Sequence, residues 1–359
     1  MAASLLFLPD ISGFTKFIQS TEAAHSQHVI AELLEVLIEA NEIGLQLAEI
    51  EGDALFFYIE DRIPSKQELL SQIERMFTAF YSHLKMLEKN RICPCNACST
   101  APQLELKIIA HSGDLQFITV QGNRKPFGEE VIQAHRLMKN SVDVDNYALI
   151  SGVLANEIKM TTGTEGNLFS FQESIDSYDG KNVSYLYSPI DPNTLSLKTF
   201  ETPSKVDFDR KPDLFVEKEF PIAGEELLEW ITNYGNRHLW IDGVDKFEYN
   251  ENEVTRLGTE HVCVIGGRQL EFKTVTKEGK QGQLVYGELT TSPPPVDKAY
   301  NFFIITPIDE KSSHLRMEVF FEAKSLIKRL ALFLFVKKLF RKNSVKTIEG
   351  LYTFVSSRV

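Results

Sequence analysis

Cysteine and tryptophan are scarce in this chain of 359 residues, which holds 4 Cys and 2 Trp. Three of the cysteines crowd into "RICPCNACST", a distribution unlike a disulfide framework. Positive charge is also short, since 38 Lys and Arg against 50 Asp and Glu leave a net charge of -12, which argues against a general nucleic-acid binder. Long apolar runs are missing as well. The greasiest stretch, "LALFLFV" at 330–336, is far below the roughly 20 residues of a membrane span. The apolar N-terminus lacks a basic flank and meets Pro9 and Asp10 too soon for a signal peptide, so the chain reads as cytoplasmic. No internal repeat is evident. What is present, 43% hydrophobic and 25% charged residues, is the composition of a folded protein, and the length predicts two cores.

The first half alternates in period. "SLLFLPDI" predicts a strand, and Ile30, Leu33, Leu34 and Leu37 recur at helical spacing. "LAEIEGDALFFYI" then reads as two strands broken by a tight Gly52-Asp53 hairpin. Ser65 and Glu68 form a capping-box pattern ahead of an apolar face through Leu69, Ile73, Met76, Phe77, Phe80 and Leu84. Further strands are predicted near 104–112, 115–121, 147–150 and 168–187, with a helix near 129–140, giving a mixed sheet covered by helices. Periodicity fails across 189–211, the expected linker between domains at 1–188 and 212–359.

Asp10 and Asp53 stand at strand ends, each with a glycine nearby. Carboxylates so placed suit Mg²⁺ bound to a nucleotide triphosphate, because that ion takes few protein oxygens and the rest from phosphate and water. A plainer reading has Asp10 capping the next helix and Asp53 shaping the turn. Five segments in order resemble the class III nucleotidyl cyclases: "FLPDISGFTKF", "EIEGDALFFY", "KIIAHSGD", "FGEEVIQAHRLM" and "DGKNVSYLY". This resemblance, over about residues 4–188, implies a ferredoxin-like domain that binds a purine nucleoside triphosphate with Mg²⁺ or Mn²⁺ and works as a homodimer. It implies metal carboxylates at Asp10 and Asp53, a backbone carbonyl ligand at Ile11, and phosphate-binding backbone through Gly13, Phe14 and Thr15. Arg136 matches the arginine that stabilises the transferring phosphate, and Lys181 the phosphate-binding lysine. Glu49 and Lys125 fall at the base-selecting positions, where they are also able to pair with one another. The asparagine expected four residues before the arginine is Ile132, which cannot orient a ribose, so metal-nucleotide binding is the safer expectation and cyclization the bolder one.

Cys93, Cys95 and Cys98, in C-x-C-x₂-C spacing, offer three thiolates to a soft ion such as Zn²⁺. His83 or His111 would complete the set; the alternative is three reduced thiols in a turn. The second half runs strand, short helix, six strands and a long helix. That order resembles the START-like, polyketide-cyclase-like helix-grip superfamily and implies an α+β fold whose sheet and helix enclose an apolar small molecule or lipid. Trp230, Trp240, Phe302, Phe303, Phe320 and Phe321 would line such a cavity or simply fill the core. Eight basic residues, Lys324 to Lys346, crowd the last helix, as in a peripheral membrane contact or a solvated face.

Overall fold

A computed structural model of the chain describes residues 3–21, 23–178, 180–200, 205–291, 293 and 295–358. It divides into two compact units, residues 1–88 with 100–200, and residues 89–99 with 201–359.

The first unit opens with β1 (Ser4–Ser12), α1 (Phe14–Ser20) and α2 (Ala23–Glu39). The hairpin of β2 (Gln46–Glu51) and β3 (Ala54–Ile59) follows, then α3 (Lys66–Asn90). The short α4 (Asn96–Thr100) leads to β4 (Glu105–Gly113), the hairpin of β5 (Gln116–Val120) and β6 (Asn123–Phe127), and α5 (Glu129–Leu137). The remainder is β7 (Tyr147–Ser151), α6 (Gly152–Glu157), β8 (Gly163–Glu165), β9 (Phe169–Tyr178) and β10 (Lys181–Pro189).

Eight strands form one sheet in the order β2-β3-β1-β4-β7-β10-β9-β8. β1 pairs antiparallel with both neighbours, and β4 pairs parallel with β7. With α2 and α3 as connections, β1 to β4 make the split β-α-β-β-α-β arrangement. Every residue of β1 is buried, as a central strand of continuous apolar sequence requires. Its pairing with β3 lapses at Leu8 and Pro9, the latter having no N–H to give, and resumes at Asp10 opposite Ala54. The capping box forms: Glu68 N donates to Ser65 Oγ at 3.3 Å and Ser65 N to Glu68 Oε2 at 2.8 Å.

The first unit extends past residue 188. Ile190 and Leu195 are buried, Asn146 donates to the Ile190 carbonyl at 2.6 Å, and Lys198 N to Ser82 Oγ at 2.9 Å. The stretch from 189 to 200 is therefore structure, although its polar sequence reads as a linker; residues 201–204 lie outside the described residues. The cysteine segment groups with the second unit, where Leu257 N donates to the Asn90 carbonyl at 2.9 Å and Ile92 packs on the core.

The second unit contains β11 (Leu214–Phe220), α7 (Gly224–Thr232), β12 (Lys246–Glu248), β13 (Glu260–Ile265), β14 (Arg268–Val275), β15 (Leu284–Thr291), β16 (Lys298–Asp309) and β17 (Ser312–Glu322). It ends in α8 (Leu326–Ala331), a π-helical turn over Leu332–Val336, and α9 (Lys337–Ser356). Its seven strands are wholly antiparallel in the order β11-β17-β16-β15-β14-β13-β12. Ile348, Leu351 and Val355 of α9 join Phe220, Leu227, Ile231 and Trp240 in one core. The aromatic residues fill space instead of framing it: Phe208 stacks on Phe320 at 4.0 Å between ring centres, and Phe321 meets Phe340 edge-on at 4.8 Å.

Candidate functional site

One face of the first sheet carries Leu6 and Leu8 of β1, Phe56 and Tyr58 of β3, Ile109 of β4, and Tyr147 and Leu149 of β7, packed with Ala134 and Leu137 of α5. Alternation along β1 puts Asp10 next on that face, and the register sets it opposite Lys107. Asp10 is 8% exposed, and the Lys107 Nζ lies 2.9 Å from its Oδ2. The hairpin turn, with Gly52 at φ 71°, delivers Asp53 beside them, and Ile11 N donates to the Asp53 carbonyl at 3.2 Å.

Asp53 stands near enough to Asp10 for the two carboxyl groups to affect one another's charge. Burial, followed by the charge of Asp10, raises the Asp53 pKa to about 6 against the opposing pull of its own backbone and Lys107. Burial alone would depress Lys107, but its hydrogen bond and attraction to Asp10 outweigh that and lift it above the ordinary lysine value. Three ionisable groups thus share one partly buried corner with two potential negative charges and one positive. Lys107 was not singled out in the sequence. The signal was there, since Glu105, Lys107 and Ile109 alternate along β4 and bring a cation onto the face that ends at Asp10.

Gly13 takes the left-handed conformation, φ 85°, where Ser12 gives way to α1, and no side chain caps that helix. Phe14 and Thr15 begin α1. The Ile11 N–H is committed to the Asp53 carbonyl, which ties the end of β1 to the hairpin turn. Glu49 and Lys125 do pair, at 2.9 Å and with both side chains half-exposed, joining β2 to the β5-β6 hairpin. Lys181 reaches Glu129, 3.1 Å away at the start of α5, and both are well exposed. Arg136 occupies the last turn of α5, about 10 Å further along the helix axis. In this chain the cation seated on the aspartates is Lys107, while Lys181 is drawn elsewhere. Ile132, 54% exposed, presents an aliphatic side chain to solvent.

His111 bridges Ser151 Oγ, 2.8 Å from its Nδ1, and Glu130 Oε2, 2.7 Å from its Nε2. Gly113 makes room for that bridge, because a Cβ there would stand 2.5 Å from the Glu130 carboxyl carbon. His83 is similarly engaged, with Nε2 2.8 Å from Glu32. The two histidines expected to complete the cysteine cluster are thus occupied within the first unit. The sulfur atoms of Cys93, Cys95 and Cys98 lie within 4.8 Å of one another as thiols. Cys98 N donates to Cys95 Sγ at 3.4 Å, and hydrogen bonding with Cys93 and Cys95 holds the Cys98 thiol well above its usual pKa.

The second unit hides a polar cluster that sequence reading missed. Arg237, 3% exposed, donates through Nε and Nη2 to the Ile231 carbonyl at 3.1 and 2.8 Å and through Nη2 to the Tyr286 hydroxyl at 3.0 Å. Its Nη1 meets Glu288 Oε1 at 2.5 Å, and Tyr286 donates to the same oxygen at 2.7 Å. His261 lies beside them between Tyr234 and Phe272, and an open cleft of about 300 Å³ reaches it past Glu248, Glu260, Glu271 and Lys273. Four of the nine residues lining that cleft are charged. Tyr286, Glu288 and Thr290 share a strand face, so a carboxylate at an inward position was the clue available.

A family described as a protein of unknown function, DUF2652, matches residues 30–147. An uncharacterized protein of Mycobacterium tuberculosis, Rv2561/Rv2562, is 32% identical over 126 residues, 35% of this chain. The chain spans 58% of the length of that relative. Among solved structures, the catalytic core of a rhodopsin-guanylyl cyclase in complex with ATPαS is 17% identical, with 53% of this chain and 96% of that one covered and a TM-score of 0.39. The adenylyl cyclase CyaB of P. aeruginosa is 18% identical, covering 53% and 94% with a TM-score of 0.38. The guanylyl cyclase Cya2 is 14% identical, covering 55% and 97% with a TM-score of 0.36. Among the described residues no helix is long and apolar enough to cross a membrane.

Proposed function

We propose that the first unit binds a divalent cation through Asp10 and Asp53 and, through it, the phosphates of a purine nucleoside triphosphate. The observation that carries this reading is a partly buried corner in which the Lys107 ammonium lies 2.9 Å from Asp10 and Asp53 is near enough for the charge of Asp10 to raise its pKa. Such a donor set fits Mg²⁺ or Mn²⁺, and Lys107 already stands in as a cation. When bound, the ion would neutralise phosphate charge. The chain's own residues do the rest: Asp10 and Asp53 hold the ion, the Ile11 carbonyl is a third oxygen, and the Gly13 bend keeps side chains clear of an approaching phosphate.

Cyclization is the next step of the same reading. It calls for Arg136 and Lys181 opposite the aspartates, and Lys181 turns to Glu129 within this chain, which favours a homodimer in which a second copy delivers both. Ile132 supplies no hydrogen bond to a ribose, so turnover in the wild type is slow. Titrating a fluorescent purine nucleotide with and without Mn²⁺ tests the binding step: Asp10→Asn weakens Mn²⁺-dependent binding about tenfold or more, and equal affinity in both proteins rejects the assignment. Incubation with ATP or GTP and Mn²⁺ tests the chemistry, with Ile132→Asn raising cyclic product about tenfold.

A zinc ion held by Cys93, Cys95 and Cys98 is a second reading, favoured by the backbone N–H aimed at the Cys95 sulfur. Elemental analysis of protein purified without chelator should give about one zinc per chain, lost in Cys95→Ser. Absence of metal, or the absorbance of iron and sulfide, overturns it. For the second unit we propose a START-like helix-grip scaffold on the strength of its element order. The aromatic residues that would line an apolar cavity pack on one another, so a lipid in its interior gains no support from them.

A further inference from the structure

The end of the second unit departs from the rest of the molecule in both exposure and charge. Leu326 and Ile327 are each 81% exposed, Phe333 77% and Phe335 71%, and Leu330, Leu334 and Leu339 are all more than half exposed. Isolated exposed apolar residues are ordinary, but seven within fourteen positions are not. Phe333, Leu334 and Phe335 are consecutive, and side chains three in a row point over about 200° of a helix's circumference. A broad apolar face therefore stands clear of the protein there, while Val336 is buried and Leu332 and Phe340 pack on the core. The π-helical turn over Leu332–Val336 falls on this stretch.

Charge singles out the same segment. From Lys324 to Ile348 the chain places eight of its 38 basic residues and none of its 50 acidic ones. Lys328, Lys337 and Lys346 are paired with Asp297, Asp213 and Asp242. Among the described residues Arg329, Lys338, Arg341 and Lys342 have no carboxylate partner and are exposed, although Arg329 Nε donates to the Ala323 carbonyl at 3.0 Å, while Lys324 stays beside Asp297, which accepts its backbone N–H at 2.7 Å.

We propose that α8, the π-helical turn and the first half of α9 form a docking surface for an anionic lipid membrane. Phe333, Phe335 and their aliphatic neighbours enter the boundary between headgroups and acyl chains, and the four cations without a carboxylate partner meet lipid phosphates and carboxylates. Burial of aromatic and aliphatic side chains supplies attraction independent of salt, and the cations add a salt-dependent part. A second copy of this chain is the poorer occupant, because a two-fold contact through this patch would set the same four cations against themselves. The inference does not depend on nucleotide binding by the first unit.

The test uses the full chain and co-sedimentation with phosphatidylcholine vesicles, with and without phosphatidylserine. Binding to the phosphatidylserine vesicles that falls as salt rises is the expected result. Phe333→Ser with Phe335→Ser should weaken it about tenfold at every salt concentration. Reversing Lys338, Arg341 and Lys342 to Glu should remove the preference for the anionic vesicles, whereas Lys280→Glu, an exposed cation in the β14-β15 loop, should leave it intact. Unchanged melting temperatures show that the variants fold. No sedimentation with either vesicle overturns the proposal, as does equal loss from Lys280→Glu, which would reduce the effect to net charge. Concentration-dependent self-association abolished by the two Phe substitutions, without vesicle binding, would assign the surface to a second copy.

Discussion

Both units bury ionisable groups against a sheet, yet the two clusters are of opposite kinds. In the second unit Arg237 and Glu288 balance, and their remaining hydrogen-bonding capacity goes to the Ile231 carbonyl and the Tyr286 hydroxyl. In the first, Asp10 and Asp53 outnumber Lys107, and burial first, with the charge of Asp10 second, raises the pKa of Asp53. A closed network is what a fold needs in order to tolerate charge in its interior. An open one has a cost in isolation and becomes favourable when a cation arrives. That contrast is the one expected between charge that serves the fold and charge that, under the proposed reading, serves a ligand.

The contrast breaks most visibly in the second unit. Glu288→Ala leaves the Arg237 guanidinium buried without a counter-charge and should destabilise that unit by about 3–5 kcal/mol, read from urea or thermal unfolding. Replacing both residues, Arg237→Met with Glu288→Leu, should recover most of the loss. A cost for Glu288→Ala no larger than that of a surface substitution would show that water satisfies the pair and that the network is not closed.

His261 gives the next effect. Burial, helped by Arg237 and resisted by the Glu288 carboxylate, lowers its pKa from 6.5 to about 4, so the folded ring stays neutral. Because the unfolded chain takes up the proton first, stability should be intact above pH 6.5 and fall as the pH drops toward 4, by up to ~3 kcal/mol. His261→Phe, which keeps a ring between Tyr234 and Phe272, should flatten that slope. An equal slope in the variant would assign the acid sensitivity to other groups.

The sequence made the first unit's elements legible because burial there is written as period: the apolar run of β1, the capping box at Ser65, the Gly52-Asp53 turn. Asp10 and Asp53 read as a pair only through the resemblance of their segments to the class III cyclases, because position at strand ends alone favours a cap and a turn. Lys107 escaped notice because its meaning depends on the register between β1 and β4, which no local pattern states. The Arg237–Glu288 pair escaped for the same reason, since 51 positions separate residues that meet only in the folded sheet. The boundary near residue 200 was hidden by polar composition, although Ile190 and Leu195 anchor that stretch. Contacts that are long in sequence and few in number are the part a single chain reading misses.

Lys107 sharpens the comparison directly. As a competitor for the same oxygens, its removal should favour a metal, so Lys107→Met is expected to tighten Mn²⁺ binding about tenfold, equivalent to ~1.4 kcal/mol, while Asp10→Asn loosens it. Opposite signs from two neighbours 2.9 Å apart are hard to obtain from a general loss of structure. If Lys107→Met weakens binding instead, the lysine is a phosphate ligand and the corner is organised around the nucleotide, not the ion.

The smallest effect tests whether the first unit's ordinary framework is independent of its charged corner. Ser65 Oγ accepts the Glu68 N–H, and Glu68 returns the bond to the Ser65 N–H, at the start of the 25-residue α3. Ser65→Ala removes one half of that exchange and exposes an unpaired donor to water, a loss of about 1 kcal/mol or a few degrees in melting temperature. The helix is long, and its inner face is fixed by Leu69, Ile73, Phe77 and Phe80, so the damage should stay within its first turn. Mn²⁺ affinity should therefore not move. A matching loss of metal binding in Ser65→Ala would mean that α3 and the aspartate corner are coupled through the sheet, and that the open cluster depends on the same packing that the closed one does.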